Sequence, residues 1–134
     1  MVMKRDMVDC ARLQYKVLCN NRKIFEFKDS VLINAQQMIE MILKALLKNK
    51  TGSYSKTHNL KTLMRDCDEP ELYKKYYNLL MQLTDLYYTN RYESEDYEDL
   101  NEKEFNEVID ESVELFNLLS RLVESNGAKP SHSF

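Results

Sequence analysis

Three polar residues of one predicted helix have side chains that could bind a ligand. Gln37, Glu40 and Lys44 are spaced three and four positions apart, so they share one face of the helix. Gln37 offers an amide for hydrogen bonding, and Glu40 can pair with Lys44. The pattern indicates either a polar groove that binds a ligand or an ordinary solvated face with an ion pair between successive turns.

His58 is a candidate for contact with a phosphate group. It stands at the predicted start of a short helix, where backbone N–H groups face any nearby anion and an imidazole adds a hydrogen bond. Four lysines surround it in sequence, namely Lys48, Lys50, Lys56 and Lys61. Arg91 would join them if the preceding helix ends on the same side. The alternative is structural, with the histidine holding the short helix against a neighbour.

Tyrosines are concentrated around the predicted fourth helix. The set is Tyr73, Tyr76, Tyr77, Tyr87, Tyr88 and Tyr92. Such rings could stack on nucleic-acid bases, but at helical spacing they are more typical of a bundle core whose hydroxyl groups reach solvent. The acidic second half of the chain also disfavours a long nucleic-acid track, because it would repel phosphates.

Other chemistry has little support in the sequence. The histidines and the scattered cysteines have neither zinc-ligand spacing nor a legible nucleophile and base arrangement, and no glycine-rich phosphate loop is present. Three unpaired cysteines, Cys10, Cys19 and Cys67, predict reduced thiols. We therefore predict no catalytic residue, no metal site and no cofactor.

The elements that position these residues are predicted to be helices. The chain has 134 residues, 43% of them hydrophobic, with only two Gly and two Pro, which favours one all-α domain. Apolar residues at helical spacing predict helices over about residues 4–18, 25–47, 58–64, 70–87 and 101–123. We expect an antiparallel up-and-down four-helix bundle with an additional short helix, formed by residues 1–124 and followed by a flexible tail, residues 125–134.

Local signals suggest where these helices begin and end. Asn20-Asn21 is predicted to form a turn, and the polar segment 48–56 is predicted to be a loop. Thr57 or Ser55 is the expected cap of the short helix. Asp68 is the expected cap before Pro70 in the fourth helix, and residues 101–104 have a sequence similar to a capping box.

The net charge of -3 conceals an asymmetry between the two halves of the chain. Residues 1–65 carry 13 Lys and Arg against 5 Asp and Glu, whereas residues 66–134 carry 6 against 17. Opposite charges could help neighbouring helices to pair, or the basic half could present a face for phosphates.

Targeting signals are not visible. Residues 1–12 are interrupted by charges and lack the apolar run of a signal peptide, and nowhere do 18 apolar residues follow one another. We expect a cytoplasmic protein that spans no membrane.

Three motifs resemble those of the HEPN (higher eukaryotes and prokaryotes nucleotide-binding) domain family. Residues 34–47, NAQQMIEMILKALL, resemble its "aqQAxEKxlKALL" helix, residues 57–60, THNL, resemble "tHdL", and residues 88–92, YTNRY, resemble "Y…RYP". The likeness spans about residues 4–123. It implies a helical bundle, frequent dimerisation and a link to nucleotides or RNA. The candidate ligand-binding residues are Gln37, Glu40, Lys44, Lys56, His58, Arg91 and Tyr92.

The sequence also departs from the family pattern. Met41 replaces a basic residue, Asn59 replaces Asp and Glu93 replaces Pro. HEPN ribonucleases carry an Arg followed within a few residues by His on a late helix, and this pair is missing. The resemblance therefore implies a non-catalytic binding module for a nucleotide or nucleic acid, or the partner of a minimal nucleotidyltransferase in a toxin-antitoxin or regulatory pair. The alternatives are a ribonuclease-like enzyme that uses His58 with Arg91, and a plain dimerisation scaffold.

Overall fold

The computed structural model describes residues 6–88 and 100–127, and within these ranges the chain is all α-helical, as predicted. A short 3₁₀ helix, Phe25–Phe27, precedes the second α-helix. The α-helices are α1 (Met7–Asn21), α2 (Lys28–Thr51), α3 (Leu60–Asp66), α4 (Pro70–Lys75), α5 (Tyr77–Tyr88) and α6 (Glu102–Gly127). Residues 128–134, most of the predicted tail, lie outside the described ranges.

The first helix begins where an aspartate caps it. The side chain of Asp6 accepts a hydrogen bond of 2.8 Å from the backbone N–H of Asp9, which satisfies a donor of the first turn. The helix continues through Asn21, because the N–H of Arg22 still reaches the carbonyl of Leu18 at 2.9 Å. The predicted turn at Asn20-Asn21 was therefore wrong, and these residues form the last helical turn.

The second helix is the central element of the fold. Its apolar side chains at Val31, Ala35, Ile39, Ile42 and Leu46 are fully buried, and it contacts α1, α3, α5 and α6. By length and composition alone, the helical segment 25–51 is long and apolar enough to cross a membrane. However, 72% of the most apolar stretch is buried inside the fold, which is the behaviour of a core helix.

A glycine ends this helix four residues later than predicted. Gly52 adopts a left-handed backbone with φ 89°, and its N–H donates to the carbonyl of Lys48 at 2.8 Å. A residue without Cβ takes this conformation at little cost. The chain then forms a connection to α3, residues 52–59, of which residues 52–56 are exposed and residues 57–59 are half-buried.

The cap of the short helix is Asn59, which corrects the prediction of Thr57 or Ser55. Its side chain accepts hydrogen bonds from the N–H groups of Lys61 and Thr62, at 3.0 and 3.2 Å. His58 consequently precedes α3 and does not belong to its first turn. The two predicted caps instead support the connection, since Thr57 Oγ1 accepts from the N–H of Asn59 at 3.1 Å.

The predicted fourth helix is divided into α4 and α5. Pro70 lies in the first turn of α4 as expected, but the cap position is Glu69, and Asp68 has a positive φ of 57°. The helix is interrupted at Tyr76, whose backbone has φ -104° and ψ 13°. At this point the Tyr76 ring is buried and its hydroxyl donates a hydrogen bond to Glu114 of α6.

The last helix begins with the predicted capping box. The N–H of Asn101 donates to Glu104 Oε1 at 3.0 Å, and the N–H of Glu104 donates to Asn101 Oδ1 at 2.8 Å. Most of the predicted apolar face is buried, including Phe105, Ile109 and Leu119.

Contacts between helices give the direction of each one. Arg22 pairs with Asp110 at 2.6 Å and Arg12 with Glu124 at 3.8 Å, so α1 and α6 run antiparallel. Asn49 donates to the carbonyl of Val123, so α2 and α6 end on the same side. These ion pairs also join the basic half to the acidic half of the chain, which fits the interpretation that opposite charges help the helices to pair.

Candidate functional site

A buried carboxylate connects two of the predicted site residues. Glu40 accepts hydrogen bonds from Gln36 Nε2 at 2.8 Å and from Lys44 Nζ at 2.9 Å, and His58 Nδ1 lies 2.9 Å from its Oε2 atom. We call these four residues the Glu40 cluster. Gln36, Glu40 and Lys44 are 2%, 9% and 6% exposed. They do not form an ordinary solvated face.

The cluster keeps Glu40 ionised in spite of its burial. Burial by itself would raise the pKa of this carboxyl group. Hydrogen bonds from Lys44, Gln36 and His58 outweigh that effect, so the pKa of Glu40 is lowered from its ordinary value. A buried carboxylate and a buried ammonium group are tolerated here because each satisfies the other.

His58 is the member of the cluster that reaches the surface. Its side chain is 45% exposed, whereas that of Glu40 is 12% exposed. The contact with Glu40 joins the connection 52–59 to the middle of α2, which agrees with the structural alternative for this histidine. The same contact also fixes the position of an imidazole that a ligand can approach from solvent.

Tyr54 contacts the cluster through Lys44. Lys44 Nζ lies 5.7 Å from the centre of the Tyr54 ring, within the range of a cation–π contact. Tyr54 is the third residue after the end of α2, and the left-handed turn at Gly52 lets the chain fold back so that this ring contacts Lys44. The residue remains 37% exposed.

The predicted basic residues divide into two groups. Lys48 and Lys56 are exposed. Lys50 instead donates to the carbonyl of Cys67 at 2.7 Å and to Glu69 at 2.5 Å, and Lys61 lies over the Tyr77 ring at 5.5 Å. Of these four lysines, Lys48 and Lys56 are therefore the more accessible to a ligand.

The structure brings together some predicted site residues and leaves others apart. Glu40, Lys44 and His58 are in direct contact, whereas Gln37 is only half-buried on the neighbouring part of α2. Arg91 and Tyr92 lie outside the described residues. Gln36 and Tyr54 were missed by the sequence prediction. Gln36 could have been predicted, because it precedes Glu40 by one helical turn. Nothing in the sequence indicated Tyr54.

The tyrosines of α4 and α5 have different surroundings. Tyr76 is buried with its hydroxyl on Glu114, as expected for a bundle core. Tyr77 is 38% exposed and packs edge-to-face on Tyr73, with ring centres 5.6 Å apart. The side chains of Tyr87 and Tyr88 lie outside the described part of the chain.

Metal and thiol chemistry are not favoured among the described residues. No group of three or more His, Cys, Asp or Glu side chains is placed to hold a metal ion in these ranges. The cysteines there are free thiols, and burial raises the pKa of Cys67 to about 12. That thiol stays protonated near neutral pH and is a poor nucleophile.

Comparisons with known proteins identify the family. No curated protein and no solved structure matches the chain. The family model of the HEPN domain matches residues 16–122, a range that includes the whole Glu40 cluster and Tyr54. This range is most of the sequence and agrees with the motifs and the helical fold, so the chain belongs to the HEPN domain family.

Proposed function

We propose that this chain is a non-catalytic binding module for a phosphate-bearing ligand, either a nucleotide or a short RNA segment. In this proposal the ligand phosphate contacts His58 and two exposed lysines of the basic half, Lys48 and Lys56. One observation carries the proposal: buried Glu40 holds a half-exposed histidine at the surface of the basic half of the chain. Family membership supports a nucleotide- or RNA-related module in general.

The Glu40 cluster has a positioning role in this proposal. Glu40 and Lys44 neutralise each other and are buried, so neither presents a net charge to solvent. Their contribution is to fix His58 relative to α2, which lowers the entropic cost of ordering the imidazole on binding. Gln37, on the neighbouring surface of α2, remains a candidate for direct contact, as do Arg91 and Tyr92.

A titration tests the proposal. ATP, GTP and a short single-stranded RNA are added to isotope-labelled protein while backbone amide signals are followed by NMR. We expect saturable shifts at Lys56 and His58, and a dissociation constant at least about tenfold larger for His58→Ala, since a lost charge-assisted hydrogen bond costs about 1.5–3 kcal/mol. Lys103→Ala is the control, because Lys103 is an exposed lysine on the acidic helix α6.

Two results would contradict the proposal. One is the absence of shifts at millimolar ligand, and the other is equal weakening by His58→Ala and Lys103→Ala. The first result would favour a module that binds proteins only.

An enzymatic alternative is favoured by one specific contact. A carboxylate within hydrogen-bond distance of a histidine Nδ1 atom is the arrangement that orients a general base, and Glu40 and His58 have it. The RNA from the same titration can be run on a denaturing gel. Cleavage that disappears in His58→Ala would establish the ribonuclease-like reading, with Arg91 as the expected second residue.

The proposal includes protein partners. We propose that the chain forms a homodimer in the cytoplasm and pairs there with a minimal nucleotidyltransferase, as a toxin-antitoxin or regulatory pair. Large apolar side chains are exposed on separate elements, among them Leu13 on α1 and Met81 on α5 at 44% and 37%, and a protein contact on either helix would remove one of them from water. If the chain dimerises but binds no nucleotide or RNA, the alternative of a plain dimerisation scaffold would be favoured.

A further inference from the structure

A groove of about 740 Å³ lies between the beginning of α1 and the last turns of α2, next to Tyr54. Half-buried apolar side chains of the two helices, including Met7, Val8 and Met41, form what we call its floor. The exposed lining residues Tyr54, Lys48 and Asp6 form what we call its rim. The volume lies within the range of small-molecule sites, roughly 300–1,000 Å³, and the combination of an apolar floor with a few polar rim groups is also typical of them.

We propose that this groove is the base subsite of the ligand-binding site and holds the base and ribose of a single nucleotide. The inference rests on the proposed function, because it assumes that the ligand phosphate contacts the basic residues named there, His58, Lys48 and Lys56. It adds the class of ligand, which is a mononucleotide with its base in the groove, and it assigns Tyr54 as the residue that contacts the base.

Tyr54 has the position that a stacking residue requires. It lines the groove and also contacts the Glu40 cluster through Lys44, so it stands between the two parts of the site. Tyr54 is a large aromatic residue that is nevertheless 37% exposed. A base that stacks on it would remove apolar surface of both rings from water, and such stacking is tolerant of base identity because every base has a π-face.

The charges on the rim give the ligand a direction. Lys48 is exposed and follows Lys44 by one helical turn, so its ammonium group can reach a phosphate at the α2 side. Asp6 lies at the α1 side and repels a phosphate there. One oxygen of Asp6 caps α1, but a carboxylate has further acceptor capacity, and a ribose hydroxyl is a suitable donor for it.

The same charges favour one nucleotide over a long strand. A polymer needs a series of cations to neutralise successive phosphates. The rim of this groove offers Lys48 on one side and a carboxylate, Asp6, on the other. A strand that passed through the groove would bring a phosphate against Asp6.

The methionines provide a direct test. The protein is labelled with ¹³C at the methyl groups of its seven methionines, which are assigned by single Met→Leu variants. AMP is then added, with adenosine and inorganic phosphate in separate samples. We expect AMP to shift the methyl signals of Met7 and Met41 in a saturable manner. Buried Met64 and exposed Met81, which lie on α3 and α5, should stay unchanged.

Variants separate stacking from charge. Tyr54→Ala should weaken AMP binding by about tenfold or more, whereas Tyr54→Phe should stay within about twofold, because stacking uses the ring and not the hydroxyl. Lys48→Ala should weaken AMP but not adenosine. Tyr77→Ala is the matched control, since Tyr77 is equally exposed at 38% and also lies near a lysine, yet it is not part of the groove lining.

The outcomes distinguish the two proposals. If AMP shifts the amides of Lys56 and His58 but leaves Met7 and Met41 unchanged, the base subsite is refuted while the proposed function stands. The subsite is equally refuted if RNA binds and AMP does not, or if Tyr54→Ala and Tyr77→Ala behave alike. The absence of all shifts with AMP and with RNA refutes both.

Discussion

At the scale of single residues, Glu40 determines the character of the site. It is one side chain with three donors from two segments of the chain, and it is buried. A buried ion pair adds little stability by itself, but removal of one partner leaves an uncompensated charge in the interior. Removal of one member of the pair should therefore lower the free energy of unfolding much more than removal of both.

Substitution of Glu40 tests this difference. We expect Glu40→Gln to lower the free energy of unfolding by about 3 kcal/mol at pH 7, because it leaves Lys44 buried without a counter-charge. The double variant Glu40→Leu with Lys44→Leu should lower the free energy of unfolding clearly less, because it removes both charges. Chemical denaturation measures each value. Lys103 and Glu107 form an exposed pair at the same spacing, so Glu107→Gln should change little.

The stability that Glu40 contributes should also depend on pH. The folded-state pKa of Glu40 lies below its ordinary value of 4.5. Its ionised form therefore stabilises the fold above that pH, and this stabilisation is lost as the pH falls through the lowered pKa. The stability gap between the wild-type chain and Glu40→Gln should shrink as denaturation is repeated at decreasing pH below 4.5. A gap that is constant or grows on acidification contradicts the assignment.

At the scale of elements, Asn59 explains one departure from the family motif. The family has Asp where this chain has Asn, and the structure shows that the position caps α3 through a side-chain oxygen. Asn and Asp are equally good at this task, so the replacement keeps the cap. It also keeps the geometry of His58, which directly precedes the cap.

Substitution of the cap should follow that logic. Asn59→Ala is expected to lower the free energy of unfolding by about 1 kcal/mol, whereas Asn59→Asp should be close to neutral. Thermal unfolding followed by circular dichroism compares the two. If Asn59→Asp is as damaging as Asn59→Ala, the side chain has a role besides accepting backbone hydrogen bonds.

Features that depend on residues close together in the sequence were predicted correctly. The capping box of α6 and the apolar faces of α2 and α6 are of this kind, and the structure confirms them. The break at Tyr76 was missed because it accompanies burial of a ring against Glu114, 38 residues away. The role of Tyr54 was missed for a similar reason, since it depends on how the chain turns at Gly52.

At the scale of the whole molecule, the charge asymmetry bears on assembly. Ion pairs such as Arg22 with Asp110 use part of the basic half to hold helices together, while Lys48 and Lys56 stay exposed. Lys16 and Lys23 are exposed as well, so part of the positive charge of this half remains available to an anionic ligand or an acidic partner.

Light scattering after size exclusion tests the proposed assembly. We expect a mass of about twice 16.0 kDa for the purified chain, and a larger complex when a minimal nucleotidyltransferase is co-expressed with it. Met81→Lys should weaken the dimer if the exposed side of α5 forms the contact, because a charge is costly in a buried interface. A strict monomer at all concentrations excludes the homodimer.

The Glu40–Lys44 pair also restricts how this sequence can change over time. Any single step that removes one partner leaves the other buried alone, so a lineage would have to cross an unstable intermediate before it reached an apolar replacement. Selection for folding is therefore sufficient to retain both residues, even in a chain that binds no ligand. Retention of the exposed Lys48, whose loss leaves no buried charge behind, would be the better marker of a binding site.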